Sequence, residues 1–186
     1  MRATLDGDAL LQIARASVDA RLRGQAEPSL AADPPALREL GASFVTLTLE
    51  GRLRGCIGSI EPHRPLGEDL RHNARMAALR DPRFPPLRPE ELEAVRFGVS
   101  VLGPRRPLHF RTEAEARAQL RPGVDGLILS CEGQRGVFLP QVWEQLPTPR
   151  DFLDQLKRKA GLSPGFWSPA VQLERFEVTK FSEAGA

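Results

Sequence analysis

Residues 44–61, "FVTLTLEGRLRGCIGSIE", decide how the chain folds. Apolar and small polar residues alternate through Leu49, Glu50-Gly51 interrupts them, and the alternation resumes, which is the pattern of a β-hairpin. With Gly51 and Arg52 as the two central loop residues, as a type II′ turn wants, Leu49 faces Arg54 and Leu47 faces Cys56. One face of the hairpin is then expected to carry Val45, Leu47, Leu49, Arg54, Cys56 and Gly58, and the other Phe44, Thr46, Thr48, Leu53, Gly55 and Ile57. A bulge at Gly55 or Gly58 would shift this register, since glycine within a strand is where bulges occur.

The flanks supply helices. Leu10, Ile13, Ala14, Val18 and Leu22 recur at helical spacing between Asp8 and Arg23, ahead of Gly24. Pro34 and Pro35 make residues 25–41 a surface loop or short turn. After the hairpin, Pro65 opens a helix to Arg80 with Glu68 and Asp69 near its positive end; Leu66, Leu70, Ala74, Ala77 and Ala78 form its packing stripe. Asp81-Pro82 stops it, and Phe84 anchors the loop that follows. Val95, Phe97, Val99 and Val101 line one face of a strand. Thr112 caps a short helix, and a second hairpin has strands near Leu127–Cys131 and Gly136–Leu139. Thr148, Pro149 and Gly161 frame a helix burying Phe152, Leu153, Leu156 and Ala160. "AVQLERFEVTKF", residues 170–181, reads as a last strand. Hairpins mixed with helices predict an α+β fold with a largely antiparallel sheet flanked by helices. No repeat or linker divides the 186 residues, which read as a single domain.

Composition removes several function classes. The net charge is +2 from 26 basic and 24 acidic residues, with no tyrosine and 6% aromatic residues, a poor supply for nucleic-acid binding. The two cysteines, Cys56 and Cys131, form no metal-binding spacing, and both are expected as reduced thiols. Without an apolar stretch of membrane length or a leader pattern, a cytoplasmic protein is expected. No P-loop, dinucleotide fingerprint, nucleophile elbow or iron–sulfur cysteine cluster is present, so neither cofactor nor metal is predicted.

Cys56 is open to two readings. As a nucleophile, or as the thiol of a small-molecule site, it would use Arg54 to favour the thiolate against a free value of about 8.5, with Gly55 and Gly58 offering amides to an anion. As a packed thiol it would lie against Leu47. His63 is the nearest histidine in sequence that could serve as base, with Asn73 to orient it, and Asp81 and Arg83 could supply polar groups to a cleft. The blander readings are an exposed turn histidine, a surface asparagine and an arginine holding a turn with Asp81. Glu90-Glu91 and Lys157-Arg158-Lys159 read as solvated helix charge.

"LRGCIGS" at 53–59, "NARMAALRDPRFPPL" at 73–87, "SVL" at 100–102, "FLPQVW" at 138–143 and "FLDQLKRKAGL" at 152–162, in this order, resemble the AMMECR domain family, known in prokaryotes as system protein A of the AmmeMemoRadiSam trio. The resemblance implies two unequal, interpacked subdomains of α+β type and an association with a Memo-like protein and a radical-SAM protein. It implies no settled reaction: a cysteine-dependent enzyme, a small-ligand-binding protein and a noncatalytic adaptor all remain open.

Overall fold

The structure, a computed structural model, describes residues 5–27 and 33–184. In chain order the elements are α1 (Gly7–Leu22), α2 (Pro35–Arg38), β1 (Leu40–Gly41), β2 (Ser43–Leu49), β3 (Arg52–Gly58), β4 (Arg64–Pro65), α3 (Leu66–Leu79), β5 (Arg96–Leu102), β6 (Arg106–Pro107), α4 (Glu113–Ala118), β7 (Gly126–Cys131), β8 (Gln134–Phe138), α5 (Pro149–Lys159), β9 (Gln172–Phe176) and β10 (Val178–Ser182). The chain divides into two compact units, the first ending at Leu102 and resuming at Thr179, the second spanning Gly103–Val178. β2 pairs antiparallel with β3 and β5, and β7 with β8 and β9, which makes the architecture α+β.

In the first unit the sheet order is β10-β5-β2-β3, leaving β3 at an edge. Leu10, Ala14 and Val18 of α1 and Leu70, Ala74 and Ala77 of α3 share a core with Val45, Leu47, Phe97 and Val99 from the sheet. Glu183, just past β10, accepts hydrogen bonds from Arg15 Nε at 2.9 Å, Arg15 Nη2 at 2.6 Å and Phe97 N at 2.9 Å, so the segment after β10 is fastened to α1 and β5. In the second unit the order is β6-β9-β7-β8. α5 supplies Phe152, Leu153 and Leu156 to its core, where the Trp143 ring stacks on Phe152 at 3.8 Å.

The helix ends follow their capping residues. Asp6 caps α1, Thr112 caps α4, and Thr148 caps α5 by accepting from Asp151 N at 3.1 Å. Pro35 opens the one-turn α2 in the segment expected to be loop or short turn; residues 28–32 of that segment lie outside the described residues.

The hairpin register differs from the one expected, for two reasons that combine. The central turn residues are Glu50 and Gly51, with φ of 52° and 73°, and Leu49 pairs with Arg52. Two successive positive φ values are the type I′ condition, whose twist matches that of the flanking strands, rather than the type II′ expected. This moves the register by an even number and by itself would keep every side chain on its expected face. A bulge then leaves Arg54 unopposed: Thr48 pairs with Leu53, but Leu47 pairs with Gly55 and Thr46 with Cys56. That odd step flips the strand. Gly55 and Ile57 share the helix-covered face with Val45 and Leu47, and Cys56 shares the other with Phe44, Thr46 and Gly58. Arg54 and Cys56 are therefore not the same-face pair that regular alternation required.

Three further expectations change. The tail forms two strands serving two sheets, with β9 beside β6 and β7 and β10 beside β5. Glu91 is not solvated charge, because it forms a two-pronged ion pair with Arg54. Lys157 is fully buried, although the flanking charges made it read as a helix-end surface residue.

Candidate functional site around Cys56

Cys56 is half-buried on the face of the β3 edge strand that points away from α1 and α3. Its cross-strand neighbour Thr46 also faces Gly98 of β5, so a row of small residues, Gly98, Thr46 and Cys56, crosses the sheet. Cys56 directs its N–H and C=O away from β2, which makes Thr46–Cys56 a non-hydrogen-bonded pair with closely spaced side chains. Accordingly, Thr46 Oγ1 lies 3.3 Å from Cys56 Sγ.

The outward backbone groups of Cys56 are met by the turn after α3. Cys56 N donates to Asp81 Oδ2 at 2.8 Å, and Arg83 Nη2 donates to Cys56 O at 3.3 Å. Asp81 also accepts from Arg83 N at 3.1 Å, Nε at 3.0 Å and Nη2 at 2.7 Å. The two residues thus occupy the position a neighbouring strand would take and close the sheet edge. Hydrogen bonds from the Arg83 guanidinium hold Asp81 well below the usual carboxylate range against the opposing effect of burial, and the N–H groups of Cys56 and Arg83 add to this. The Arg83 pKa is raised in turn, first by its hydrogen bonds to Asp81 and then by the charge of Asp81. The Asp81 side chain is 2% exposed, while that of Arg83 is 53% exposed and open to a solvent-borne anion.

A depressed native pKa means that the Asp81 contribution to stability is complete above the unfolded value of about 3.9 and is lost as pH falls through the lower folded value. Asp81→Asn is expected to cost about 1.5–3 kcal/mol at pH 7. The gap between wild type and variant should narrow from pH 5 to pH 2, on the order of the window these pKa values define. Urea unfolding across that range measures it; a gap independent of pH would remove the carboxylate from the clasp.

The other residues singled out in the sequence have separate occupations. Arg54 donates through Nε to Glu91 Oε1 at 2.9 Å, through Nη2 to Glu91 Oε2 at 3.0 Å and through Nη1 to Pro85 O at 2.9 Å. Its side chain is 11% exposed, and its hydrogen bonds pull the Glu91 pKa down. A Cβ on Gly55 would stand 2.2 Å from Ala77 O of α3, and one on Gly58 would stand 2.2 Å from the Phe44 ring. Close packing therefore requires both glycines. Asn73 is buried, and its Nδ2 donates to Ser43 O at 3.0 Å, Asp69 Oδ2 at 2.9 Å and Ser59 Oγ at 3.2 Å, joining α3 to β2 and the end of β3. His63 is exposed in the turn after β3, with no side-chain hydrogen bond to Cys56 among the described residues. His72 has a lowered pKa, from burial first and then from Arg64 and Arg75. Cys131 is buried in the core of the second unit.

Thr46 escaped the sequence reading because its approach to Cys56 depends on the bulge. Asp81 was visible as a turn residue and as a polar candidate for a cleft, but nothing in local spacing links it to a strand 25 positions away. Among the described residues no cluster of histidine, cysteine and acidic side chains could hold a metal ion, and no helix is long and apolar enough to cross a membrane.

The chain is similar to a protein of Methanothermobacter thermautotrophicus, 41% identical, over 97% of this chain and 95% of that one. A Thermofilum pendens protein is 37% identical over 96% and 90% of the two chains. The crystal structure of an uncharacterized protein from Pyrococcus horikoshii superposes with a TM-score of 0.81 at 33% identity, covering 96% of this chain and 91% of that one. The family model described as AMMECR1 matches residues 11–181. With a match of that extent, and with the fold shared across nearly the whole chain, the protein belongs to the AMMECR1 family.

Proposed function

We propose that the β3 edge is a small-ligand site in which Cys56 contacts or covalently holds a small organic ligand and Arg83 receives an anionic group on it. The observation that carries this reading is the half-buried thiol on the sheet face turned away from α1 and α3, beside a guanidinium whose side chain is 53% exposed and which donates to the Cys56 carbonyl. Asp81 acts as a positioning residue, fixing Arg83 and the Cys56 peptide together. Arg54, which the sequence pattern placed beside the thiol to favour its ionised form, is committed to Glu91. The family resemblance supports working partners of Memo-like and radical-SAM type. A noncatalytic adaptor is the second reading, favoured by the packing that accounts for Gly55 and Gly58 without any ligand.

Alkylation by a charged and an uncharged reagent separates them. Native Cys56 is expected to react with both iodoacetate and iodoacetamide. The rate ratio should favour the anion about fivefold over that of the unfolded chain, the equivalent of about 1 kcal/mol of charge attraction. Arg83→Gln should abolish the preference, with sites resolved by mass spectrometry. Labelling of Cys56 only on unfolding would reject the ligand site in favour of the adaptor.

A further inference from the structure

The second unit contains a groove of about 570 Å³, remote in sequence from Cys56 and lined where the segment after β6 runs beside the approach to β9. This volume is in the range of small-molecule sites. Two of the chain's few aromatic residues meet there: Phe110 and Trp167, with ring centroids 5.5 Å apart and planes tilted by 51°. Both also pack against the buried core, and Lys157 Nζ lies 6.0 Å from the Trp167 ring centroid, so the aromatic wall is anchored from within the unit.

The basic side chains of the lining, His109 and Arg111, flank Phe110 at one end. His109 is exposed, and its imidazole makes no hydrogen bond among the described residues. The Arg111 side chain is 92% exposed, with Glu115 as a loose partner at 3.8 Å. Glu174 is the acidic lining residue, and its register opposite Pro107 places it away from the Phe110–Arg111 end. An aromatic wall with two under-used donors at one end is complementary to a ring that carries negative charge.

We propose that this groove is a second ligand site, for a small molecule bearing a flat aromatic or heteroaromatic ring and one anionic group. The ring packs against Trp167 and Phe110, and the anion meets Arg111 and His109. The site uses none of the residues of the β3 edge, so it stands or falls independently of the function proposed above.

The chain has two tryptophans, so its nitrogen-15 spectrum contains two indole N–H signals, and Trp167→Phe assigns them. Adenosine 5′-monophosphate and 2-naphthoate serve as aromatic anions, with adenosine and inorganic phosphate as controls. At least one aromatic anion is expected to shift the Trp167 signal saturably while the signal of buried Trp143 stays in place. Adenosine or phosphate alone should bind at least about fivefold more weakly, in line with the loss of one charge contact or one stacked ring. Arg111→Gln should weaken the anions to the level of adenosine, and Cys56→Ser should change nothing. The proposal is overturned if neither anion shifts the signal up to about 5 mM, an affinity too weak for a site of this size. It is equally overturned if adenosine matches its monophosphate or if Arg111→Gln leaves the anions unaffected.

Discussion

Gly55→Ala should lower the stability of the protein by about 3 kcal/mol or more, at the upper end of what overpacking a close-packed site costs. The added methyl would stand 2.2 Å from Ala77 O, a backbone atom of α3 that cannot rotate away. Relief requires shifting the helix from the sheet, which loosens the contacts of Leu70, Ala74 and Ala77 with Val45 and Leu47. Gly51→Ala is the control: nothing lies within 4 Å of its Cβ position, and only its φ of 73° is disfavoured for alanine. Its cost should be about 1 kcal/mol, that of one left-handed residue. Urea midpoints of the two variants measure the difference. If they agree within error, close approach of α3 is not what excludes a side chain at position 55.

These two glycines show how far the sequence could be read. Gly51 is a turn glycine, recognisable from Glu50-Gly51 between two apolar runs, and the hairpin was legible on that account. Its detailed geometry was not, because type I′ requires a positive φ at Glu50, a residue that seldom adopts it. From that turn and the single unopposed residue at Arg54 follow the faces of every side chain in β3. The meaning of Gly55 depends on Ala77, a helix residue more than 20 positions downstream, and a glycine poised for ligand approach reads the same as one pressed against a helix carbonyl. Capping residues act within a few positions of themselves, which is why the ends of α4 and α5 were legible. The clasp of Asp81 and Arg83 on Cys56 acts across 25 positions and was not.

Lys157→Ala is expected to cost about 3–5 kcal/mol, the range for breaking a buried ion pair by removing one partner. Lys157 is 0% exposed, and its Nζ donates to Glu113 Oε1 at 2.8 Å, lies 3.1 Å from Asp154 Oδ1 and also donates to the carbonyl of Pro164. Truncation leaves a cavity and two acidic groups, with Arg117 beside both and Arg150 at 3.9 Å from Asp154 as their remaining cationic neighbours. Urea unfolding followed by tryptophan fluorescence reads this directly, since Trp143 and Trp167 both belong to the second unit. A loss under about 1 kcal/mol would place the lysine among solvated charges, whose pairs are worth no more than that. The sequence did hold a signal for its burial. Position 157 follows Leu153 by four residues and precedes Ala160 by three, so it falls on the apolar stripe of α5 and not on the opposite face with Arg158.

β10 carries a consequence for the order in which the molecule is made. It lies beside β5 in the sheet of the first unit, yet the whole of the second unit, Gly103–Val178, is translated between them. A nascent chain therefore emerges with three strands of that sheet and must synthesise a complete second module before the fourth strand and Glu183 reach Arg15 and Phe97. The first unit is begun first and finished last. Until then the exposed side of β5 is an open template for a stranger's strand, a liability that ends when β10 takes its place beside it.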